Sequence, residues 1–381
     1  MILFVYSSLA AIFWVTISIY LTTNSYRIRF LKDIPISNFR HEPSVAVIIA
    51  ERNEEEDLEQ SLKSILDLDY KNYRIITIND RSTDSTREIL ENMKANHPSI
   101  GLIHIEELPG GWLGKNHALF QGYLNSEEEW LLFTDADVTF SKDSLKRAMT
   151  YANNRDLDHL AVLPEVNSRS ALFNSTMDTF KIMLELRQRP WDVRNPNLSA
   201  SIGIGAFNLV KRNVYESIGT HSAISLRPDD DLKLGELIKG RGFRSDVLYG
   251  EKQITLEWYR SIKEFINGLM KNTFSIFNYN LLKALFAAIA TLLFFALPIP
   301  LMLLAGSEKE TGLALIILLF QIPLFALKRG MRGVWWHPVM VPYAGCIMAY
   351  ILLRSSVLTL KQRGIYWRDS YYPLSELRKN K

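Results

Sequence analysis

Trp130-Leu131-Leu132-Phe133-Thr134-Asp135-Ala136-Asp137-Val138 is the stretch that decides the fold of this chain. Its bulky apolar residues predict a buried β-strand, and two carboxylates follow at the carboxyl end of that strand, the edge where open α/β sheets bind ligands. Carboxylates this close repel each other unless a cation or a proton lies between them. Because Mg²⁺ takes one or two carboxylates together with phosphate oxygens, we predict a site for Mg²⁺ or Mn²⁺ held by Asp135 and Asp137. A bare Asp-x-Asp is more often a solvated strand end, so this prediction depends on the neighbouring segments.

Composition limits the classes of protein to which this chain can belong. The 381 residues include 44 basic and 41 acidic side chains, and the net charge of +3 does not indicate a nucleic-acid partner. The single cysteine, Cys346, excludes an internal disulfide. The two ends of the chain are apolar and the middle is charged, which predicts a polar domain held between membrane segments.

The N-terminal end predicts a retained membrane anchor over residues 1–26. Residues 1–22 carry no charged side chain, and that length crosses a hydrocarbon core of about 30 Å as a helix. The anchor is followed at once by basic residues, which favour the cytoplasmic side, namely Arg27, Arg29, Lys32 and Arg40. We therefore expect the central domain to be cytoplasmic, at the cell membrane.

The C-terminal end predicts membrane segments over 283–360 and a basic cytoplasmic tail over 361–381. Segments 284–305 and 338–360 are long enough to span, whereas 312–327 is short and contains Gln321 and Pro323. Three full crossings would place the basic tail outside, against the charge rule. One segment is therefore re-entrant or interfacial, or the rule fails here; the sequence leaves these alternatives open.

Two further strands of the central domain end in polar clusters. Residues 45–50 predict a strand that leads to Glu51 and to Asn53, a predicted N-cap of the next helix. A second strand at 75–78 runs into Asp80, and a helix opened by a capping box from Ser85 follows. Asp80 thus lies at a strand end, as Asp135 does.

A glycine-rich turn precedes the next predicted helix. A third strand at 102–105 is followed by Pro109-Gly110-Gly111-Trp112-Leu113-Gly114-Lys115-Asn116 and by a helix over 115–125. Glycines that let the backbone approach, with Lys115 at a helix N-terminus, suit a diphosphate, although a flexible loop is an equal reading of the motif alone. Strands alternating with helices predict a mainly parallel sheet. Beyond it we predict a strand at 159–164, a helix at 173–187, and a glycine-bearing strand at 201–210 that lines an acceptor pocket.

Three consecutive acids, Asp229, Asp230 and Asp231, open a helix that ends near Gly240. Capping at the positive end of the helix dipole explains one acid but not three. Adjacent negative charge raises the pKa of a carboxyl, which suits a general base near neutral pH.

Together these segments resemble the family 2 glycosyltransferases of the GT-A fold. The resemblance covers residues 45 to about 275, in the order Ala-Glu-Arg-Asn-Glu-Glu, Asn-Asp-Arg-Ser-Thr-Asp, Gly-Trp-Leu-Gly-Lys-Asn, Thr-Asp-Ala-Asp-Val and Pro-Asp-Asp-Asp-Leu. It implies an α/β fold over 43–250, with a Rossmann-like, mainly parallel sheet and helices on both faces. Within the family, Gly-Trp-Leu-Gly-Lys and Tyr366-Trp367-Arg368 are similar to the membrane-bound members associated with hopanoids and carotenoids.

The resemblance also implies a reaction: inverting transfer of a sugar from a nucleotide-diphosphate donor, a UDP-sugar, to a hydroxyl. It assigns Asp80 to the nucleotide base, with Glu51 and Asn53 beside it, and Lys115 to the phosphates. Asp135 binds the ribose or the metal, and Asp137 the metal. The register against Leu232 places the family's base at Asp231 and its preceding glutamate at Asp230; His221 stays outside the catalytic set. Membrane segments at both ends of the domain indicate a lipid acceptor.

Two alternatives are weighed against this reading. A processive polysaccharide synthase carries Gln-x-x-Arg-Trp, whereas this chain has Gln253-Ile254-Thr255-Leu256-Glu257-Trp258-Tyr259-Arg260. A catalytically silent membrane scaffold has no need of the acids. Trp258 either stacks on a sugar ring or anchors an amphipathic helix, within 251–282, at the bilayer surface. We favour the second because Ile262, Phe265, Ile266 and Leu269 share its face.

Overall fold

The computed structural model describes residues 1–37, 42–168, 170–367 and 370–378. Arg40, Arg368 and the last residues of the basic tail lie outside these ranges.

A mixed sheet forms the centre of the molecule. Within the described residues it has eight strands, in the order β1-β10-β7-β9-β5-β2-β3-β4. These strands are β1 (Arg29–Phe30), β2 (Val45–Glu51), β3 (Tyr73–Asp80), β4 (Gly101–Ile105), β5 (Trp130–Asp135), β7 (His159–Leu163), β9 (Asn208–Lys211) and β10 (Ser245–Tyr249). Strand β9 runs antiparallel to both of its neighbours, β5 and β7, and the other pairs are parallel. The predicted fold class, a mainly parallel α/β sheet with apolar terminal helices, is confirmed.

Smaller strands complete the β-structure. Strand β6 (Val138–Phe140) pairs with β11 (Ile254–Leu256), which also pairs with β8 (Glu165–Val166), and β12 (Gly364–Trp367) forms a hairpin with β13 (Ser370–Pro373).

Helices cover both faces of the main sheet. Alternate residues of β2 point to opposite faces, so Val47 packs with Leu62 and Leu145 on one face, whereas Ile48 packs with Leu119 on the other. The helices of this domain are α2 (Leu58–Leu66), α3 (Thr86–Asn96), α4 (Gly114–Leu124), α5 (Ser144–Asn154), α6 (Ala171–Gln188), α7 (Arg212–Ser217) and α8 (Asp230–Gly240). Burial on both faces explains why the strands read as continuous apolar runs.

Three local predictions need correction. Asn53 is not a helix cap: α2 begins at Leu58 after Asp57, and Asn53 adopts a left-handed φ of 55°. Ser85 is the residue before α3, but its side chain makes no capping bond; Asp84 Oδ1 accepts from the Thr86 amide instead. Segment 201–210 is strand only from Asn208, because its glycines pass through the site described below.

The apolar ends contain three helices that are long and apolar enough to cross a membrane, within the described part of the chain. They are Ile2–Ser25 (α1), Glu308–Leu327 (α12) and His337–Gln362, which includes α13 (Val341–Gln362). Segment 312–327, expected to be too short, thus belongs to a continuous helix that tolerates Pro323.

Segment 284–305, which we expected to be long enough to span, is not one helix. It divides into α10 (Leu281–Thr291), a π-helical turn over Leu292–Ala296, and α11 (Pro298–Leu304). Pro298 has no backbone N–H to continue the helix, and it begins the new one. Helices α9 (Ile262–Thr273) and α10 belong to a bent pair that is either a broken span or a re-entrant segment. The re-entrant alternative that the sequence left open therefore applies to the segment that contains α10.

The apolar face of α9 packs inside the protein. Phe265 and Leu269 are buried against Phe173 of α6 and against Met348 and Ile351 of α13. Protein therefore covers part of the face that we predicted to lie against the bilayer, whereas Ile262 and Ile266 are only partly buried. Trp258 precedes the helix, and its ring packs at a tilt against that of Phe180, with 5.5 Å between the ring centres.

The C-terminal tail folds back onto the central domain. Hairpin residues Ile365 and Tyr372, and Leu374 and Leu377 of α14 (Leu374–Leu377), share a core with Leu113 and Leu226. Leu113 precedes the helix that carries Lys115, and Leu226 precedes the acidic cluster. The sequence predicted only a basic tail here, so this wall of the site was missed.

Candidate active site

The carboxyl ends of β5, β2 and β3 bring the predicted acids to one edge of the sheet. In the strand register Asp135 lies beside Ala50, and Glu51 lies beside Asn79, the residue before Asp80. Parallel neighbours end at the same edge, which is why acids far apart in the sequence meet there.

Lys115 is the centre of the charge cluster at this edge. Its Nζ lies 2.7 Å from Asp135 Oδ1 and 3.7 Å from Asp230 Oδ2. Burial opposes the charge of this ammonium group, but Asp135, Asp230 and Asp231 outweigh burial and raise the pKa of Lys115 well above its usual value. Lys115 is therefore a permanent cation, and it joins the strand-end acid to the acidic cluster of α8.

The three acids before and in α8 have different partners. Arg227 forms a fork with Asp229, with distances of 3.0 Å from Nε to Oδ1 and 2.7 Å from Nη2 to Oδ2, and both side chains are buried. This bidentate pair satisfies the charge of Asp229 and holds the start of α8. Asp230 and Asp231 are then the two acids that face Lys115.

Asp231 is a partly buried carboxyl held by backbone amides. Its Oδ2 accepts from the Gly205 amide at 2.9 Å, and its Oδ1 accepts from the Leu232 amide at 2.8 Å. Burial and the neighbouring Asp230 raise the pKa of Asp231 to about 7. Burial also raises the pKa of Asp230, although Lys115 acts in the opposite direction. A carboxyl that titrates near pH 7 is suited to accept a proton under physiological conditions.

The glycines of segment 201–207 let it pass between the two halves of the cluster. A Cβ at Gly205 would lie 2.5 Å from Asp135 Oδ2, and a Cβ at Gly203 would clash with the Asp231 carbonyl. Any larger residue would push the acids apart. Residues 201–207 form a loop rather than the predicted strand. The cavity left here has a volume of about 10 Å³, which is room for roughly one water molecule. Its lining residues are Lys115, Leu119, Phe133, Thr134, Asp135, Gly205, Asn208, His221, Asp230, Asp231 and Leu234.

Asp137 lies just beyond the end of β5, on the α2 side of the site. Burial, followed by the charges of Asp135 and Glu54, raises the pKa of Asp137 to about 7. Within the described ranges no group of three acidic, histidine or cysteine side chains is arranged to hold a metal ion. Asp135 and Asp137 nevertheless fit Mg²⁺ or Mn²⁺, because these ions take one or two protein carboxylates and complete their shell with phosphate and water oxygens. The excess negative charge that raises the Asp137 pKa is the condition a cation relieves.

Asp80 has a different environment from the acids of α8. The Arg81 guanidinium forks onto it at 2.7 Å and 3.1 Å, and Arg52 Nη1 lies 3.8 Å from its Oδ2. The carboxylate also touches the first turn of α4, where a Cβ at Gly114 would clash with it. Gly114 is therefore required for this contact, and α4 links Asp80 to Lys115 through adjacent residues.

Asn53 and Glu51 occupy unlike positions. The Asn53 amide donates to Ser82 Oγ at 3.1 Å, and its Oδ1 accepts from the Thr83 amide at 2.8 Å, which ties the loop after β2 to the loop after β3. Glu51 is fully buried, and among the described residues neither of its carboxylate oxygens has a hydrogen-bond partner. Burial, with Glu54 next, raises the pKa of Glu51 well above its usual value. Asn53 is exposed at the edge of the site, whereas Glu51 lies beneath it.

Three residues outside the predicted set shape the site. Asn116 donates to the carbonyls of Ile224, Ser225 and Arg227, so it holds the approach to the acidic cluster against α4. His221 lies 4.0 Å from Asp230, and burial, followed by Lys115, lowers the pKa of His221 to about 3, so the ring is neutral. Arg81 stands between Asp80 and the Tyr372 hydroxyl of the C-terminal hairpin. Asn116 and Arg81 had a local signal, because they directly follow Lys115 and Asp80 in the sequence, and His221 was weighed but left outside the catalytic set.

Comparison with known proteins supports the resemblance. Residues 46–219 match the family model "Glycosyl transferase family 2", and the resemblance to family 2 glycosyltransferases is confirmed. Among curated proteins, 4,4'-diaponeurosporenoate glycosyltransferase of Staphylococcus aureus strain USA300 is 22% identical over 58% of this chain. The protein of the same name from the bovine strain RF122/ET3-1 is 23% identical over 56% of this chain. These matches span 58% and 56% of the relatives' own lengths.

A solved structure extends the similarity beyond the sheet domain. The mannosyltransferase PcManGT from Pyrobaculum calidifontis, in complex with GDP-Man and Mn²⁺, aligns with a TM-score of 0.56 at 16% identity. The alignment covers 95% of this chain and 99% of that one. At this identity the likeness concerns the fold, and it includes the apolar ends as well as the sheet.

Proposed function

We propose that this protein transfers a sugar, with inversion, from a nucleotide-diphosphate sugar to a lipid hydroxyl at the cytoplasmic face of the cell membrane. The observation that carries the proposal is Asp231, a partly buried carboxyl that two backbone amides hold beside the Lys115–Asp135 pair, with a pKa of about 7. This arrangement sets a proton acceptor next to a fixed cation and a strand-end acid, which are the groups that such a transfer needs.

The residues take these roles in the reaction. Asp231 removes the proton from the acceptor hydroxyl as its oxygen attacks the anomeric carbon. The bond from that carbon to the diphosphate oxygen breaks on the opposite side, and its electron pair leaves with the diphosphate. Lys115 stabilises the charge of the leaving diphosphate, and Asp230 holds Lys115 in place. Asp80, fixed by Arg81, binds the nucleotide base, with Asn53 at the edge of the same pocket and Glu51 supporting it from below.

Asp135 and Asp137 would hold a divalent cation, which would neutralise charge on the leaving diphosphate. The Mn²⁺ and GDP-Man in the complex of PcManGT support a metal and a nucleotide-sugar donor here. A UDP-sugar is the donor that the family resemblance implies.

The placement of the domain supports a lipid acceptor. Helix α1 and the C-terminal helices bracket it, and Arg27, Arg29 and Lys32 follow α1 on the domain side. The curated relatives, named for 4,4'-diaponeurosporenoate, support a long-chain acceptor. That name denotes a carboxylate, which is already ionised at neutral pH and would not need Asp231 as a base. The variants described in the Discussion separate the two acceptor chemistries.

The test is transfer by the purified protein in detergent. It is incubated with a panel of nucleotide sugars and a bacterial membrane lipid extract, with Mg²⁺ or Mn²⁺ present, and the lipids are analysed by mass spectrometry. We expect one lipid class to gain the mass of a single sugar. The matched control is Asp231→Asn, which keeps the size of the side chain and should form product about 10²- to 10⁴-fold more slowly. Hydrolysis of donors without any glycolipid, in parent and variant alike, would contradict the proposal.

A further inference from the structure

A second cavity opens beside the acidic cluster, on the side of the membrane helices. It is a groove of about 600 Å³ between the end of α6 and the start of α10. Its lining residues are Arg187, Ile276, Phe277, Asn278, Leu282, Lys283, Phe286 and Ala287. The lining includes two cations and no acid, so the groove is complementary in charge to an anion.

The other half of the groove is apolar and exposed. Leu282 is 77% exposed and Phe286 is 74% exposed. The opposite face of α10 packs through Ala284 and Ala288 against Leu352 of α13, a helix long and apolar enough to cross a membrane. Contiguous apolar surface of this kind, beside such a helix, indicates a site for a lipid chain rather than a water-exposed face.

Arg187 is held at the rim with its charge facing the groove. Its Nη2 donates to the Ile276 carbonyl at 3.1 Å, and its guanidinium lies 5.4 Å from the centre of the Phe277 ring. Burial lowers the pKa of Arg187, whereas Asp229 and Glu236 act against that change, which shows that the side chain lies within the field of the acidic cluster. A guanidinium remains charged under these conditions.

The groove shares a wall with the candidate active site. Asn278 lines the groove, and its Oδ1 accepts from Arg227 Nη1 at 3.2 Å. Arg227 also donates to the Ser275 carbonyl and forks onto Asp229, the residue before Asp230 and Asp231. A molecule in the groove is thus separated from the acidic cluster by one clamped arginine.

We propose that this groove binds the acceptor lipid: its anionic headgroup lies between Arg187 and Lys283, and its apolar chain lies along Leu282 and Phe286. This inference rests on the proposed function and names the acceptor as an anionic lipid. The anion and the hydroxyl that receives the sugar are separate groups of the same molecule. Binding the anion at the rim directs the hydroxyl toward Asp231 and leaves the chain in the bilayer.

Photolabelling tests the groove without requiring catalysis. The full-length protein in neutral detergent micelles is mixed with phosphatidylglycerol that carries a diazirine on one acyl chain, or with the matching phosphatidylcholine, and labelled peptides are mapped by mass spectrometry. We expect phosphatidylglycerol to label segment 276–287 about 25-fold more than phosphatidylcholine, since each of the two basic residues contributes about fivefold near a membrane surface. Lys283→Gln should reduce the phosphatidylglycerol labelling about fivefold, and Arg187→Lys, which keeps the charge, should reduce it little.

The matched control is Lys263→Gln, an exposed lysine of α9 outside the groove lining, which should label like the parent. Nucleotide binding, measured by calorimetry, should be the same in parent and Lys283→Gln. Equal labelling by the two lipids, or labelling unaffected by Lys283→Gln, would overturn the groove as an anion site even if transfer occurs. Charge-dependent labelling in a protein that transfers no sugar would leave the groove standing and contradict the proposed function instead.

Discussion

Asp80 and Asp231 are both acids of the same candidate site, yet their surroundings differ. Asp80 lies under two arginine side chains, at 2.7 Å from Arg81 and 3.8 Å from Arg52. Asp231 is held by two backbone amides, and its nearest charged neighbour in sequence is another acid, Asp230. The pKa of Asp231 is raised to about 7 by burial and by Asp230.

This difference in surroundings indicates that Asp80 is suited to binding and that Asp231 is suited to proton transfer. A carboxylate between two arginine side chains is a fixed hydrogen-bond acceptor. A partly buried carboxyl beside another acid takes up a proton near neutral pH and can act as a base. The predictions below test whether these two acids have the different roles that their environments indicate.

The largest effect we expect is the loss of transfer on metal removal. Excess chelator should abolish turnover and added Mn²⁺ or Mg²⁺ should restore it, because Asp135 and Asp137 then repel each other and the diphosphate without compensation. Asp137→Ala should also abolish turnover while the thermal unfolding midpoint stays at or above that of the parent. Full activity in chelator would show that Lys115 alone serves the diphosphate.

Asp231→Asn should lower the single-turnover rate by about 10²- to 10⁴-fold and leave nucleotide affinity nearly unchanged. The amide keeps the size of the side chain but does not accept the proton. Asp230→Asn is the comparison, since it removes the acid that lies 3.7 Å from Lys115. If Asp230→Asn is the slower variant, the base is Asp230; if the two variants transfer at the parent rate, the acceptor group is one that is already ionised, such as a carboxylate.

The pH dependence of the rate should follow Asp231. Its pKa of about 7 means that the base is protonated, and inactive, at lower pH. With metal and donor saturating, the rate should rise about tenfold per pH unit below 7 and level off above it. Asp80→Asn should keep this profile and Asp231→Asn should remove it. A parent rate that is flat between pH 5.5 and pH 8 would contradict the assignment.

The smallest effect we expect is that of Asp80→Asn on the donor. The substitution removes a charge-assisted hydrogen bond, so the nucleotide Kd should rise about tenfold, while the rate at saturating donor stays within about threefold of the parent. Calorimetry of nucleotide binding beside single-turnover transfer measures both quantities. A large fall in rate with unchanged affinity would reverse the roles that we assign to Asp80 and Asp231.

Local patterns in the sequence were sufficient for the sheet and for its strand-end acids. Strands β2, β3, β5 and helix α4 lie where apolar runs and a glycine-rich turn predict them. Acids at the ends of parallel strands meet by the geometry of the sheet alone, so Asp80 and Asp135 were recognised without any knowledge of their contacts. The ordered motifs also indicated the resemblance to family 2 glycosyltransferases, which the family model that matches residues 46–219 confirms.

The apolar helices at the two ends of the chain show what an apolar composition does not predict, namely helix breaks and the identity of the covering surface. Residues 281–304 are apolar enough to span, but the helix breaks because Pro298 and the π-helical turn interrupt its hydrogen bonds. The apolar stripe of α9 was assigned to the bilayer, whereas α6 and α13 cover part of it. The apolar face of a helix predicts that this face is buried, but it does not specify whether lipid or protein buries it.

By itself the sequence determined the α/β sheet, the acids at its edge and the apolar ends, because strand period, burial and turn chemistry are properties of neighbouring residues. The tertiary structure alone decided which acid has which partner. The Arg227 side chain pairs with Asp229, and the Gly205 amide donates to Asp231. The C-terminal hairpin packs against Leu113. The Gly205–Asp231 contact and the packing of the hairpin on Leu113 join residues that are distant in the sequence and meet only after the chain has folded. The pKa of a carboxyl depends on those neighbours and on its burial. Only the folded protein therefore distinguishes an acid suited to binding from an acid suited to accept a proton.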